Sequence, residues 1–379
     1  MLHLDTAATT PLRRDVLEAM WPHLGSNFGN PSSQHELGRS AARTLEEARS
    51  QVAEILGCLP GEVVFTGGGT EADNTAVKGI ALADPRGRHV IVSAVEHPAV
   101  LESAAWLGRI GYAVDIVPVD GHGRVDPDDV ARLLRPDTTL VSVQLANNEV
   151  GTLQPVAEVS AVAARHGVPV HTDAVQAAGW VDLDLGRLGV RALSLSGHKL
   201  GAPKGTGVLV VHRRQRLEPL LHGGGQESGR RSGTVDVAGA VGFAAALTAA
   251  AAAIDAGVPA EVARRRDAFV AEVLRSAPGA MLTGHPTERL PGSASFCFPG
   301  TSGEAVLLAL AERGILCASG SACAAGSDEP SAVLTAMGLS REVAQTAVRC
   351  TFGAEVSEDD LARAAREVGA AVTRLRALG

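Results

Sequence analysis

A lysine, an aspartate and a run of glycines carry the chemistry of this 379-residue chain. Lys199 closes the stretch SGHK (196–199), directly after the apolar run ALSLS (192–196) and before glycine-rich chain. Lysine is rarely fully buried. At the mouth of a sheet its amine loses basicity and becomes a nucleophile. Ser196 and His198 beside it can donate hydrogen bonds to a phosphate. Taken alone, the stretch reads equally as a surface lysine on a loop. Asp173, in HTDAVQ (171–176), ends an apolar run. A carboxylate there needs a partner, because desolvating an unpaired charge is costly. A helix N-cap, a structural ion pair or a protonated ring nitrogen would serve. In FTGGGTEADN (65–74) three glycines and Thr70 separate a strand-like run from a helical one. Such a turn is either a plain tight connection or a cradle that aims backbone N–H groups and the helix dipole at an anion. Lys199 follows Asp173 by 26 positions, room for one crossover helix and one strand. Both then fall at strand C-terminal ends, where open α/β sheets bind ligands. Lysine, buried aspartate and glycine turn together specify pyridoxal 5′-phosphate. The lysine takes its aldehyde, the aspartate its pyridine nitrogen and the turn its phosphate.

The elements that must position these residues are legible from residue 50 to 212. Valine-rich runs at 62–66, 89–97, 113–120, 139–145, 169–174, 192–196 and 207–212 read as strands buried on both faces. Helical patterns lie between them, as at 70–83 and 155–167. This alternation predicts an α/β fold with a largely parallel sheet. Residues 236–277 are alanine-dominated and predict a long helix leading out of the first domain. A second, smaller α/β unit follows, with strands at 293–298 and 346–352 and helices at 303–314 and 358–378. The expected division is a large domain over 14–250 and a small C-terminal domain over 251–379, joined by segment 1–13.

Composition narrows the function classes. Hydrophobic residues make up 45% and aromatics 3%, so the core must be aliphatic. A net charge of −8 argues against broad nucleic-acid or anionic-membrane binding. The Walker pattern and the strict GxGxxG are both absent. The stretch VAGAVGFAAALTAAAAAI (237–254) comes closest to a membrane span but reads as a soluble helix. Five cysteines, at 58, 297, 317, 323 and 350, have no zinc-ligand spacing. Reduced thiols and a cytoplasmic protein, with no metal site, are expected.

Nine ordered motifs run almost from end to end: LDTAATTP, FTGGGTEADN, VEHPAV, ANNEVG, HTDAVQ, SGHK, HGGGQESGRRSGT, ASGSAC and VRCTFG. With them the chain resembles the cysteine desulfurases of the aminotransferase class V family. The resemblance implies a fold-type I pyridoxal phosphate transferase with a mainly parallel seven-stranded sheet. It implies that Lys199 is the Schiff-base lysine, that Asp173 partners the pyridine nitrogen and that Gln176 bonds the phenolic oxygen. It makes His97 the histidine that stacks on the ring and moves protons. Gly69, Thr70, Ser196 and His198 become phosphate binders. Thr234 becomes a phosphate ligand reaching across a homodimer, and Asn148 and Arg349 hold the substrate carboxylate. Cys323, crowded by small residues in GILCASGSACAAGSDEPSAVL (314–334), becomes the persulfide-forming nucleophile. The implied reaction takes L-cysteine to L-alanine and hands sulfur to an acceptor, an iron–sulfur scaffold or a tRNA-thiolation enzyme. Cys317 reads as structural, and Cys58, Cys297 and Cys350 as small packed hydrophobes. Two departures stand out: GGGT where the family often has a serine and an alanine, and Ala354 where a larger residue is expected. A selenocysteine lyase or small-amino-acid aminotransferase of the same class, and a catalytically silent sulfur-transfer scaffold, are the alternative readings.

Overall fold

All seven valine-rich runs form strands in the computed structural model, which describes residues 1–83, 86–319 and 329–378. They are β2 (Val63–Thr66), β3 (His89–Ser93), β4 (Ala113–Val117), β5 (Thr138–Ser142), β6 (Val170–Asp173), β7 (Ala192–Ser196) and β8 (Gly207–Val211). One sheet holds them in the order β2-β8-β7-β6-β5-β3-β4. Only β8 runs antiparallel to its neighbours. Apolar residues on both faces follow from helices on both faces. Helices α3 (Gly69–Ala83) and α4 (Pro98–Arg109) cover one side, where Val77, Ile80, Val100 and Leu107 meet Val90, Leu140 and Leu209. On the other side α2 (Glu36–Ile55), α6 (Val156–Arg165) and α8 (Val237–Asp255) bury Val52, Val159 and Phe243 against Ile91, Val141 and Leu193. Consecutive strands β4 and β5 lie on opposite sides of β3, so the chain order reverses there. Open α/β sheets bind ligands at the strand ends beside such a reversal.

The long helix expected over 236–277 is instead two. Helix α8 stops at Asp255, and α9 (Val258–Ser276) starts after Gly257, whose φ of +77° is a left-handed conformation suited to glycine. Pro259 in the first turn of α9 reinforces the break. Helix α8 packs on α1 (Arg14–Leu24) and α2, and α9 on α13 (Glu358–Arg376). Among the described residues α8 alone has the length and hydropathy of a membrane span, and half of it is buried inside the fold.

The smaller sheet is antiparallel, in the order β12 (Ala347–Thr351), β10 (Ser293–Cys297), β9 (Met281–Thr283). Helices α9, α10 (Gly303–Ala311) and α13 cover it around Phe269, Phe296, Phe298 and Phe352. The N-terminal strand β1 (Leu2–His3) pairs in parallel with β11 (Ile315–Leu316), and Leu2 and Leu4 join this second core. The chain start is therefore built into the C-terminal unit, and from there it crosses to the end of β7.

Candidate active site

Strand β7 ends at Ser196, and a tight turn over Gly197–Lys199 lifts Lys199 off the sheet. Only glycine fits at position 197, where a Cβ would lie 2.3 Å from Thr206 Oγ1 and 3.0 Å from Ala202 Cβ. The Lys199 amine donates to the carbonyls of Ala7 and Ala8, the latter at 2.7 Å. Gln176 Nε2 donates to the same Ala7 carbonyl at 3.0 Å. The N-terminal segment is strapped over this turn, since Thr10 donates to the His198 carbonyl from both N and Oγ1.

Asp173 ends β6 beside Ser194 of β7. Burial pushes its carboxyl up, while the Val175 N–H at 2.9 Å and the neighbouring His97 and Lys199 pull it down. His97 caps α4, its Nδ1 accepting from Ala99 N at 3.1 Å. Burial lowers its pKa; Asp173 opposes that and Lys199 adds to it. Because Nδ1 accepts a hydrogen bond, the ring carries its proton on Nε2. His97, Asp173 and Lys199 sense one another's charge, so three residues spread over about a hundred positions of sequence meet at one strand edge.

Beneath them lies a polar layer that the sequence reading missed. Asp73, on α3, is held well above the usual carboxylate range by burial and by the Asp173 and Glu96 charges. Glu96 is pushed up to about 8 by burial, despite Ser93 Oγ at 2.5 Å and Gln144 N at 2.7 Å. His171 is pushed down to about 3 by burial. Its nitrogens pair with Ser142 Oγ at 2.8 Å and Ser194 Oγ at 2.9 Å. The available signal was a charged or polar residue interrupting an apolar run, in HVIVSAVEH, PVHTDA and TEADN.

The glycine turn runs from β2 into α3. Gly68 has φ +145°, and a Cβ on Gly69 would lie 2.9 Å from Val175 Cγ2 and 3.3 Å from Ser196 Cβ. The first turn of α3 therefore presents its backbone N–H groups beside Ser196. Thr70 is exposed at the rim. His198 is pushed down to about 4 by burial and by Lys199 and Lys204, and its Nδ1 lies 3.1 Å from Thr9 Oγ1. Thr234 is exposed and lines a small cleft with Gly67, Thr206 and Gly207.

Arg349, on β12, is buried. Its Nη1 donates to the Asn148 carbonyl at 2.8 Å and its Nη2 to Asp5 Oδ1 at 2.7 Å. Sequence reasoning paired Asn148 with Arg349 but missed Asp5, which already occupies part of the guanidinium fork. Glu149, next to Asn148, is raised to about 7 by burial, while Ser331 and Arg349 pull it down. A cavity of about 1090 Å³ is lined by Lys199, Gln176 and Asn148 together with Thr6, Ala7 and Lys204. His97, Asp173 and Arg349 do not line it. Cys323 falls outside the described residues. The thiols of Cys58 and Cys297 are pushed up to about 12 and about 11 by burial, which suits packing residues.

Comparison with known proteins follows the same lines. The profile described as Aminotransferase class-V matches residues 2–363. The cysteine desulfurase IscS of Methanosarcina thermophila is 43% identical over 376 residues, covering 99% of this chain and 93% of that protein. A solved structure titled NifS-like protein superposes with a TM-score of 0.91 at 34% identity, over 99% of this chain and 100% of that one. A structure titled SspA in complex with cysteine gives 0.81 at 34% identity, over 93% of this chain and 99% of that one.

Proposed function

We propose that this chain, which belongs to the aminotransferase class V family of pyridoxal phosphate enzymes, is a cysteine desulfurase that takes sulfur from L-cysteine and leaves L-alanine. The observation that carries the reading is the convergence of Lys199, Asp173 and His97 at the ends of β7, β6 and β3, with burial shifting the acid up and the histidine down. The residues fit pyridoxal phosphate. A side chain on Gly69 would fill the cradle between α3 and Ser196, and Asp173 is a buried carboxylate placed to hold a proton on a ring nitrogen. Gly69, Thr70, Ser196 and His198 would hold the phosphate, Gln176 the phenolic oxygen, and His97 the ring face. When bound, the cofactor supplies an aldehyde that captures the amino group and a ring that accepts electrons from Cα.

The chain's own residues divide the remaining work. Lys199, released from the Ala7 and Ala8 carbonyls, holds the cofactor and moves the proton at the substrate Cα. Arg349 binds the substrate carboxylate with Asn148 beside it, and Asp5 must then yield its share of the guanidinium. Neutral His97 is suited to pass a proton. Cys323 would be the sulfur acceptor: its thiolate attacks the substrate sulfur and an S–S bond forms, the Cβ–S bond breaks with its electron pair passing to Cβ, Cβ takes a proton and alanine leaves. Exposed Leu17, Trp21, Leu24 and Phe28, on and after α1, support a homodimer in which Thr234 reaches the partner's phosphate site. An iron–sulfur scaffold or a tRNA-thiolation enzyme as final acceptor, a cytoplasmic location, and units at 14–250 and 251–379 complete the reading. Cys323→Ser, assayed with L-cysteine and a thiol reductant, should keep the cofactor absorbance and release no sulfide. Sulfide release at the normal rate would overturn the assignment.

A further inference from the structure

Two thiols outside the proposed reaction meet where the N-terminal strand enters the smaller unit. Ala318 and Arg349 form an antiparallel bridge and exchange both backbone hydrogen bonds, at 3.1 and 2.7 Å. Extended by one position, that register sets Cys317 against Cys350. An antiparallel pair next to such a doubly bonded one brings its Cα atoms to about 4.5 Å and its Cβ atoms to about 4.5–5.5 Å. A disulfide spans about 4.4–6.8 Å between Cα atoms and about 3.5–4.5 Å between Cβ atoms. The pair is thus within a small closing movement of bond formation. Beyond it the two chains separate around β1, which takes a bond from Leu4 N to Leu316 O at 2.7 Å and one from Thr351 N to Leu4 O at 2.8 Å.

The two sulfurs are not equivalent. Cys350 is 1% exposed within the second core, and Cys317 is half-buried at its rim. The neighbouring Cys317 thiol and burial push the Cys350 thiol well above the usual thiol range. Cys317 is therefore the thiol that meets solvent first, and Cys350 the one held against it.

We propose that Cys317 and Cys350 form a reversible disulfide on exposure to a hydroperoxide, pinning β11 to β12 at the fork where β1 enters. The Cys317 thiolate attacks a peroxide oxygen, the O–O bond breaks, one water leaves and Cys317 becomes a sulfenic acid. Cys350 sulfur then attacks that sulfur, its proton leaves with the hydroxyl as a second water, and the S–S bond forms. Two thiols lose two electrons and two protons, and hydrogen peroxide is reduced to two waters. The bond lies beside the site: Cys350 follows Arg349, and Asp5, in the strap leaving β1, holds the Arg349 guanidinium at 2.7 Å.

The test uses the purified holoenzyme, treated with hydrogen peroxide, blocked with N-ethylmaleimide, digested with trypsin and analysed by mass spectrometry without reduction. The expected product joins peptide 350–363 to peptide 314–341, lighter than their sum by two hydrogen masses, and dithiothreitol releases it. Peptide 314–341 also carries Cys323, so the link must persist in Cys323→Ser. The oxidised enzyme should also unfold at a higher temperature than the reduced one, because the cross-link restricts the unfolded chain. Cys317→Ser, at a half-exposed position that preserves the fold, should show neither the link nor the shift. A Cys350 alkylated in full after peroxide treatment, a link that requires Cys323, or Cys317 oxidised beyond the sulfenic acid with Cys350 still free would each overturn the proposal.

Discussion

Two buried charge clusters in the large sheet unit behave in opposite ways. Arg49, on α2, meets Glu227 through two bonds of 2.7 and 2.8 Å. Glu227 takes a further N–H from Phe65 at 2.9 Å, and Arg49 gives another to the Val63 carbonyl at 2.7 Å. Every charge there is answered, and the cluster is firm enough to hold Glu227 and Ser228 at φ +51° and +56°, a region non-glycine residues seldom occupy. The cluster below Lys199 is only partly answered. Asp73 Oδ1 and Glu96 Oε2 are buried without a hydrogen-bond partner among the described residues, and the Asp73, Glu96 and Asp173 carboxyls are all shifted up. Complete pairing locks the segment 222–234 against β2. Incomplete pairing leaves groups with perturbed acidity, and groups of this kind cluster at functional sites.

That contrast breaks first on Lys199→Ala. Alanine formation from L-cysteine should fall by about 10³-fold or more, and borohydride should no longer fix cofactor to the chain by mass. A variant that kept its rate would place the chemistry elsewhere. Asp173→Asn should lower kcat by about 10²-fold, while titration still shows pyridoxal phosphate binding. Equal rates for variant and parent would remove the role given to that carboxylate.

The Arg49–Glu227 cluster should respond in stability alone. Glu227→Ala leaves a buried guanidinium without its partner, at a cost of about 3–5 kcal/mol in urea unfolding. The rate per folded molecule should stay close to the parent's, and a selective collapse of kcat would merge the two clusters into one function. The smallest effect sharpens the comparison through pH. Glu96 has a folded pKa of about 8, above an unfolded value near 4.3. Between those values the folded state holds a proton that the unfolded state has released. The stabilisation is therefore complete below about pH 4.3 and is lost as pH rises through about 8. His171, lowered to about 3, gives the opposite slope, stabilising above its unfolded value near 6.5 and weakening as pH falls. Glu96→Gln should flatten the loss of urea midpoint between about pH 6.5 and pH 8, steepen its rise between about pH 4.3 and pH 6.5, where Glu96 and His171 otherwise offset each other, and change nothing below about pH 4.3.

Much of this molecule was legible before its structure. The seven strands were visible because buried parallel strands are apolar on both faces, so valine runs such as VVF at 63–65 and VLVV at 208–211 have few other uses. The helix over 69–83 followed from its glycine turn and apolar spacing. The break at Gly257 was not visible, because alanine-rich chain on both sides satisfies helix propensity and the left-handed turn depends on where the second core pulls α9. Asp73, Glu96 and His171 were missed for a related reason: one polar residue in an apolar run looks like a surface position until the helix above it is placed.

The sequence by itself determined the residue types of the chemistry and their position at strand ends. Lys199, Asp173 and the glycines at 67–69 need only local pattern and spacing to be read, because period-two burial and turn geometry are local properties. Tertiary structure alone decided which groups share a field. The shifts of Asp173, His97 and Glu96 arise from burial and from charges brought in by other elements, and the hold of Asp5 on Arg349 arises because β1 folds back onto the C-terminal unit. Desolvation and Coulomb interaction depend on distance in space, which spacing along the chain does not encode.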